Sequence, residues 1–167
     1  FDILDEDARI YYTGSQFVST ASSSSSSATV TLSATVRDIT AETGDAAYDP
    51  LAGDIRNARV FFKINETNQQ FGPFTPGLVN AADLKTGTVT TNITLDIGAS
   101  DSKQFTLSMW VEGYYTRNAS TDNEVITISK PIGDFITGGG YIITSNVTGL
   151  IAPKQGVKNN FGFNVKY

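Results

Sequence analysis

Ala28-Thr-Val-Thr-Leu-Ser-Ala-Thr-Val36 sets Ala28, Val30, Leu32, Ala34 and Val36 on one side of an extended chain, and Thr29, Thr31, Ser33 and Thr35 on the other. Successive side chains of a strand point to opposite faces, so a strict period of two predicts a half-buried β-strand. The β-branched valines and threonines favour that backbone as well. The pattern recurs at Ala58, Val60, Phe62 and Ile64. It recurs again at Val89, Ile93, Leu95 and Ile97, with Thr91 as the one polar interruption. A further run, Phe105, Leu107, Met109 and Val111, leaves Trp110 on the opposite face. Residues 124–129, rich in Val, Ile and Thr, read as another strand, and short opening strands are expected at 9–13 and 16–19. Helical periodicity is nearly absent.

Turn chemistry separates these runs. Thr43-Gly-Asp45, Asp49-Pro50 and Gly53-Asp54 punctuate one long connection; Gly72-Pro73, Pro76-Gly77 and Thr86-Gly87 punctuate another; Gly98-Ala-Ser-Asp101 is a compact turn. About seven strands linked in this way predict an all-β fold, an antiparallel β-sandwich of immunoglobulin type over residues 1–130. A closed barrel is the alternative. The chain has no Cys, so apolar packing must hold the sheets together. Lys130-Pro131-Ile-Gly-Asp134 reads as a boundary, because proline stops strand pairing and glycine lets the chain turn. Residues 131–167 form a short additional β segment, too few to bury a core alone. They either add two strands to the first unit or begin a second one.

Composition narrows the function classes. Of 167 residues 40% are hydrophobic, enough for a packed core, and only 17% are charged, with net charge −5. The surface must then be covered largely by Ser, Thr, Asn and Gly, which suits an extracellular or cell-surface β-protein. Nucleic acid is not an expected partner, since phosphate binding needs clustered Lys and Arg. Without His or Cys the chain cannot build a Ser-His-Asp triad, a thiolate nucleophile or the usual zinc-water centre. No run approaches the roughly 20 apolar residues of a membrane span. The opening Phe1-Asp-Ile-Leu-Asp-Glu-Asp reads as an internal excerpt or mature start, with any export signal outside it.

The candidate sites are few. Asp45, Asp49 and Asp54 crowd the long 38–57 connection, and acidic, glycine-containing loops supply the hard oxygen ligands that calcium takes. These three are the candidate calcium ligands, and Asp2, Asp5, Glu6 and Asp7 form a second acidic group. Neither has EF-hand spacing, and a solvated acidic loop is the plain alternative for each. Trp110, Tyr114 and Tyr115, with Tyr11-Tyr12 elsewhere, are candidate contacts to glycans or proteins, since aromatic faces stack on sugar rings and are enriched at interfaces. The alternative places Trp110 in the core or under a loop. Glu112 and Glu124 are the only acids set among strong strands. Glycoside hydrolysis needs two facing carboxylates, but strand-borne Glu usually faces outward, and no catalytic residue is assigned. The six serines at 22–27 form a solvated loop, or else a tether or O-glycosylated patch. Asn65, Asn92, Asn118 and Asn146 head glycosylation sequons.

Near the end stand Phe135-Ile-Thr-Gly-Gly-Gly-Tyr-Ile and Gly156-Val-Lys-Asn-Asn-Phe-Gly-Phe-Asn-Val-Lys-Tyr167. The triple glycine is no phosphate cradle, because a strand follows it and no helix. The two blocks resemble the start of a post-COAP type of domain, through Phe135, Thr137, Gly138, Gly139, Gly140 and Tyr141, then Gly156, Lys158, Phe161, Gly162, Phe163, Lys166 and Tyr167. The preceding stretch, including residues 28–38, 53–60 and 114–118, resembles the immunoglobulin-like repeats beside such domains. The resemblance implies a module of a long secreted or surface-anchored bacterial protein, acting as spacer or binding element, with no family catalytic residues. The expected function is therefore non-catalytic: a structural or adhesive module, a filament or stalk repeat whose partners are neighbouring domains or copies of itself. Assembly by strand addition is expected through 161–167 or the 1–13 arm. A carbohydrate-binding accessory module of a secreted hydrolase, contacting surface glycans, is the rival.

Overall fold

The computed structural model describes residues 6–40, 53–131, 135–145, 148 and 154–166. In chain order the strands are β1 (Glu6–Tyr12), β2 (Phe17–Ser19), β3 (Ser27–Asp38), β4 (Ala58–Ile64), β5 (Gln69–Phe74), β6 (Gly77–Asn80), β7 (Asp83–Asp96), β8 (Ser102–Gly113), β9 (Tyr115–Thr116), β10 (Glu124–Ser129), β11 (Phe135–Ile143) and β12 (Lys158–Lys166). The only other regular pieces among these residues are two single turns of 3-10 helix, Ile55–Asn57 and Ser120–Asp122.

Two five-stranded sheets stack face to face, one in the order β6-β7-β3-β1-β9 and the other β2-β10-β8-β4-β5. The architecture is thus an all-β sandwich and not a closed barrel. With β1, β3, β7 and β6 in the A, B, E and D places, and β10, β8 and β4 in the G, F and C places, the order follows the immunoglobulin arrangement. The opening arm serves both sheets. β1 pairs antiparallel with β3, the chain crosses over at residues 13–16, and β2 then pairs parallel with β10.

Period-two patterning decides which side of each strand is inside. Val30, Leu32, Ala34 and Val36 are fully buried and meet Val60, Phe62, Ile64, Phe105, Leu107, Ile126 and Ile128 across the sandwich. The hydroxyl face of β3 is organised too. Thr31 donates to Asn92 Oδ1 (2.8 Å), and hydroxyl pairs join Ser33 to Thr90 (3.0 Å) and Thr35 to Thr88 (3.2 Å). These residues face one another in the β3/β7 register, so the Ser/Thr surface carries a cross-strand hydrogen-bond ladder.

Asp38 keeps the inward register of β3 and is buried. Its Oδ1 accepts from the Thr40 N–H (3.0 Å) and hydroxyl (2.6 Å), and its Oδ2 from the Gly53 N–H (3.1 Å) and the Tyr115 hydroxyl (3.1 Å). A buried carboxylate persists only with such partners. The serine run is a compact turn, closed by Ser25 N–H to Ser22 O (3.1 Å) and by the Ser22 hydroxyl to Ser24 and Ser25.

The patterning did not signal β5, β6 and β9. β5 holds Gly72 and Pro73, and β6 opens at Gly77, residues that read as turns. Both are edge strands, where proline and glycine cost little because one side needs no ladder.

Candidate functional site

Segment 135–166 supplies a two-stranded antiparallel hairpin, β11 with β12. Alternation gives it two unlike faces. Gly139 lies opposite Gly162 on one; Gly138 opposite Phe163 and Gly140 opposite Phe161 on the other. The first face rests on the outer surface of β2, β10 and β8. A Cβ on Gly139 would stand 2.5 Å from Phe17 Cζ and 2.5 Å from the Phe161 carbonyl oxygen, and one on Gly162 would overlap the Gln104 amide. The glycines are therefore what lets the hairpin lie this close. Thr127, beneath Gly162, points outward from its sheet yet is only 3% exposed.

Polar groups fasten the contact. Lys158 Nζ donates to Glu124 Oε1, and Gln16 Nε2 donates to Glu124 Oε2 (3.2 Å). Asn160 Nδ2 donates to the Asn123 carbonyl (3.3 Å). Lys158 Nζ also lies 4.7 Å from the centre of the Tyr141 ring. Glu124 is nearly buried, so pairing with the ammonium offsets its desolvation. On the far face Ile142, Phe161, Phe163 and Val165 stay exposed, by 60%, 45%, 48% and 45%. The Phe161 ring reaches toward Gly140 and the Phe163 ring toward Gly138, filling the places of missing side chains.

A cleft opens where the hairpin meets the sandwich. It encloses about 480 Å³ between β1, the 13–16 crossing, the Ser120–Asp122 turn, β10 and the hairpin. Tyr12, half-buried on its wall, donates its hydroxyl to the Ser15 carbonyl (2.9 Å). Burial, and then the Glu124 charge, push the Tyr12 phenol well above its ordinary value. Asp122 accepts a forked pair from Arg117, at 2.6 Å from Nε and 2.9 Å from Nη2. The hydrogen bond to Asp122 raises the Arg117 value further. Each charge in the cleft is thus met by an opposite one.

The aromatic and acidic candidates are placed as follows. Trp110 is half-buried on the outer face of its sheet and stacks on Phe61, its cross-strand partner, with ring centres 5.1 Å apart and planes 5° apart. Its Nε1 donates to Glu112 Oε1 (2.7 Å). Tyr114 is 43% exposed, whereas Tyr115 is fully buried, so Tyr115 offers no surface to a partner. The two rings meet edge to face at 5.3 Å. Glu112 occupies the outward register of β8, while Glu124 pairs with core-facing Leu107 and shares the inward register. The two carboxylates therefore stand on opposite faces of one sheet and do not converge.

Of the calcium candidates, Asp45 and Asp49 lie outside the described residues, as do Asp2 and Asp5. Asp54 accepts from the Arg56 N–H (3.0 Å) and pairs with its guanidinium (2.5 Å), which holds the carboxyl below its usual range. Among the described residues, no three acidic side chains gather around a common point that could hold a metal ion. The described parts of the two segments expected to add to a neighbour's sheet are already paired within the chain. β12 pairs along its length with β11, and β1 pairs with β3 and, at Glu6 and Asp7, with β9. Asn65, Asn92 and Asn118 are exposed, and Asn146 lies outside the described residues.

The convergence of Tyr11, Gln16, Glu124, Tyr141 and Lys158 was not legible beforehand. Tyr11 is legible as a candidate aromatic and Tyr141 as part of the glycine block, but nothing in one sequence brings Gln16 to Glu124 across 108 residues. Comparison of the chain with protein-family models and with curated proteins finds no match.

Proposed function

We propose that this chain is a non-catalytic structural or adhesive module of a larger secreted or cell-surface protein, which meets neighbouring domains or copies of itself through the hairpin. One observation carries the reading: Gly139 and Gly162 lie against the sandwich, and Ile142, Phe161, Phe163 and Val165 face outward on the other side of the hairpin. Apolar side chains gathered on one exposed face mark an interaction site. Among the described residues β11 and β12 each keep one free edge, to which a further strand can add. The low charge and the hydroxyl ladder of β3 and β7 support an extracellular setting, as does the resemblance of the two glycine blocks to post-COAP domains.

Sedimentation over a range of concentrations tests it. Association is expected, and Phe161→Ser with Phe163→Ser should abolish it while leaving the sandwich melt unchanged. Association that survives both substitutions would move the contact elsewhere on the molecule.

A further inference from the structure

We propose that the cleft between β1, β10 and the hairpin is a binding site for a neutral oligosaccharide. Tyr11 and Tyr141, 49% and 55% exposed, present ring surface at its mouth. The apolar face of a pyranose packs on such rings, and its hydroxyls need fixed donors and acceptors around them. The cleft holds these already. Glu124 is clamped by Lys158 and Gln16, and Asp122 by the Arg117 fork. Each carboxylate keeps spare lone pairs, and Thr121 adds a hydroxyl at the rim. Because these groups are immobilised before binding, little ordering is left for the ligand to bring about. The volume of about 480 Å³ lies in the range of small-ligand pockets.

The charge pattern selects the class. Both cations are engaged by carboxylates in or beside the cleft, so an anionic sugar would meet Asp122 and Glu124 with no uncommitted cation among these groups. A peptide adding as a strand finds no ladder at the crossing either. The Thr13 and Ser15 N–H groups already donate to Ser33 and Thr31 carbonyls, both at 2.8 Å. A neutral, hydroxyl-rich ligand is what remains suited to these walls. This site lies apart from the outward apolar face of the hairpin, so it stands or falls independently of assembly.

Calorimetric titration of the intact chain tests the proposal. The probes are neutral oligomers of glucose, mannose, galactose and N-acetylglucosamine, with uronic-acid oligomers as anionic counterparts. Saturable binding of a neutral oligomer is expected. Tyr11→Ala, which leaves the hairpin untouched, should weaken it about tenfold, and Thr121→Trp, which fills the cleft, should abolish it. Trp110→Ala should leave it unchanged. Three results would each overturn the proposal: no neutral oligomer bound, a preference for the uronic-acid series, or binding lost in Trp110→Ala but retained in Thr121→Trp. The association state of the same samples keeps this outcome distinct from that of the assembly experiment.

Discussion

Single side chains here act through what covers them. Asp38 and Tyr115 are buried together because each satisfies the other, and Trp110 spends its ring on Phe61 and its N–H on Glu112. Tyr12 carries a measurable consequence. Its phenol is raised from an ordinary 10.0, first by burial and then by the charge of Glu124. A raised acid contributes stability that is complete below the unfolded value and is lost as pH rises toward the folded one. Stability should therefore fall on going from neutral pH to about pH 11, and Tyr12→Phe should flatten that decline. Urea midpoints across this range provide the check. Equal alkaline slopes in the two proteins would exclude Tyr12 as the responsible group.

The hairpin is the element whose role changes most between sequence and structure. In the sequence the triple glycine carries a resemblance, and in the fold its middle residue is the docking point. Gly139 faces the sandwich, while Gly138 and Gly140 receive the rings of Phe163 and Phe161. None of the hairpin residues whose burial is described belongs to the central buried cluster. Gly139→Val should thus undock the hairpin and leave the sandwich folded, because its Cβ would press on both Phe17 and the Phe161 carbonyl. Amide exchange should quicken in β11 and β12, with the main melting transition nearly unmoved. Slow exchange retained throughout the hairpin would show that the close approach tolerates a side chain.

For the whole molecule, stability rests on one apolar layer between two sheets, with no disulfide to share the load. Leu32, at its centre, is fully buried, while the neighbouring Ser33 faces outward toward Thr90. Leu32→Ala should cost about 3 kcal/mol, and Ser33→Ala about 1 kcal/mol or less. Denaturant unfolding of the two variants measures the contrast, and similar losses would contradict the layered reading.

The sequence alone specified the fold class, the position of most strands and the inner face of β3, β4, β7 and β8. Those are local properties: a period of two is written in adjacent residues, and the apolar side is buried where the strand lies within the sandwich, whereas in β12 the same alternation leaves Phe161, Phe163 and Val165 exposed. Edge strands β5 and β6 escaped it because edges accept the glycine and proline that otherwise mean turns. The division of the opening arm between sheets, the surface the hairpin covers and the meeting of Tyr11, Glu124, Tyr141 and Lys158 in one cleft emerge from the three-dimensional packing. Those outcomes depend on side-chain complementarity between segments some hundred residues apart, and no periodicity along one chain encodes such a meeting.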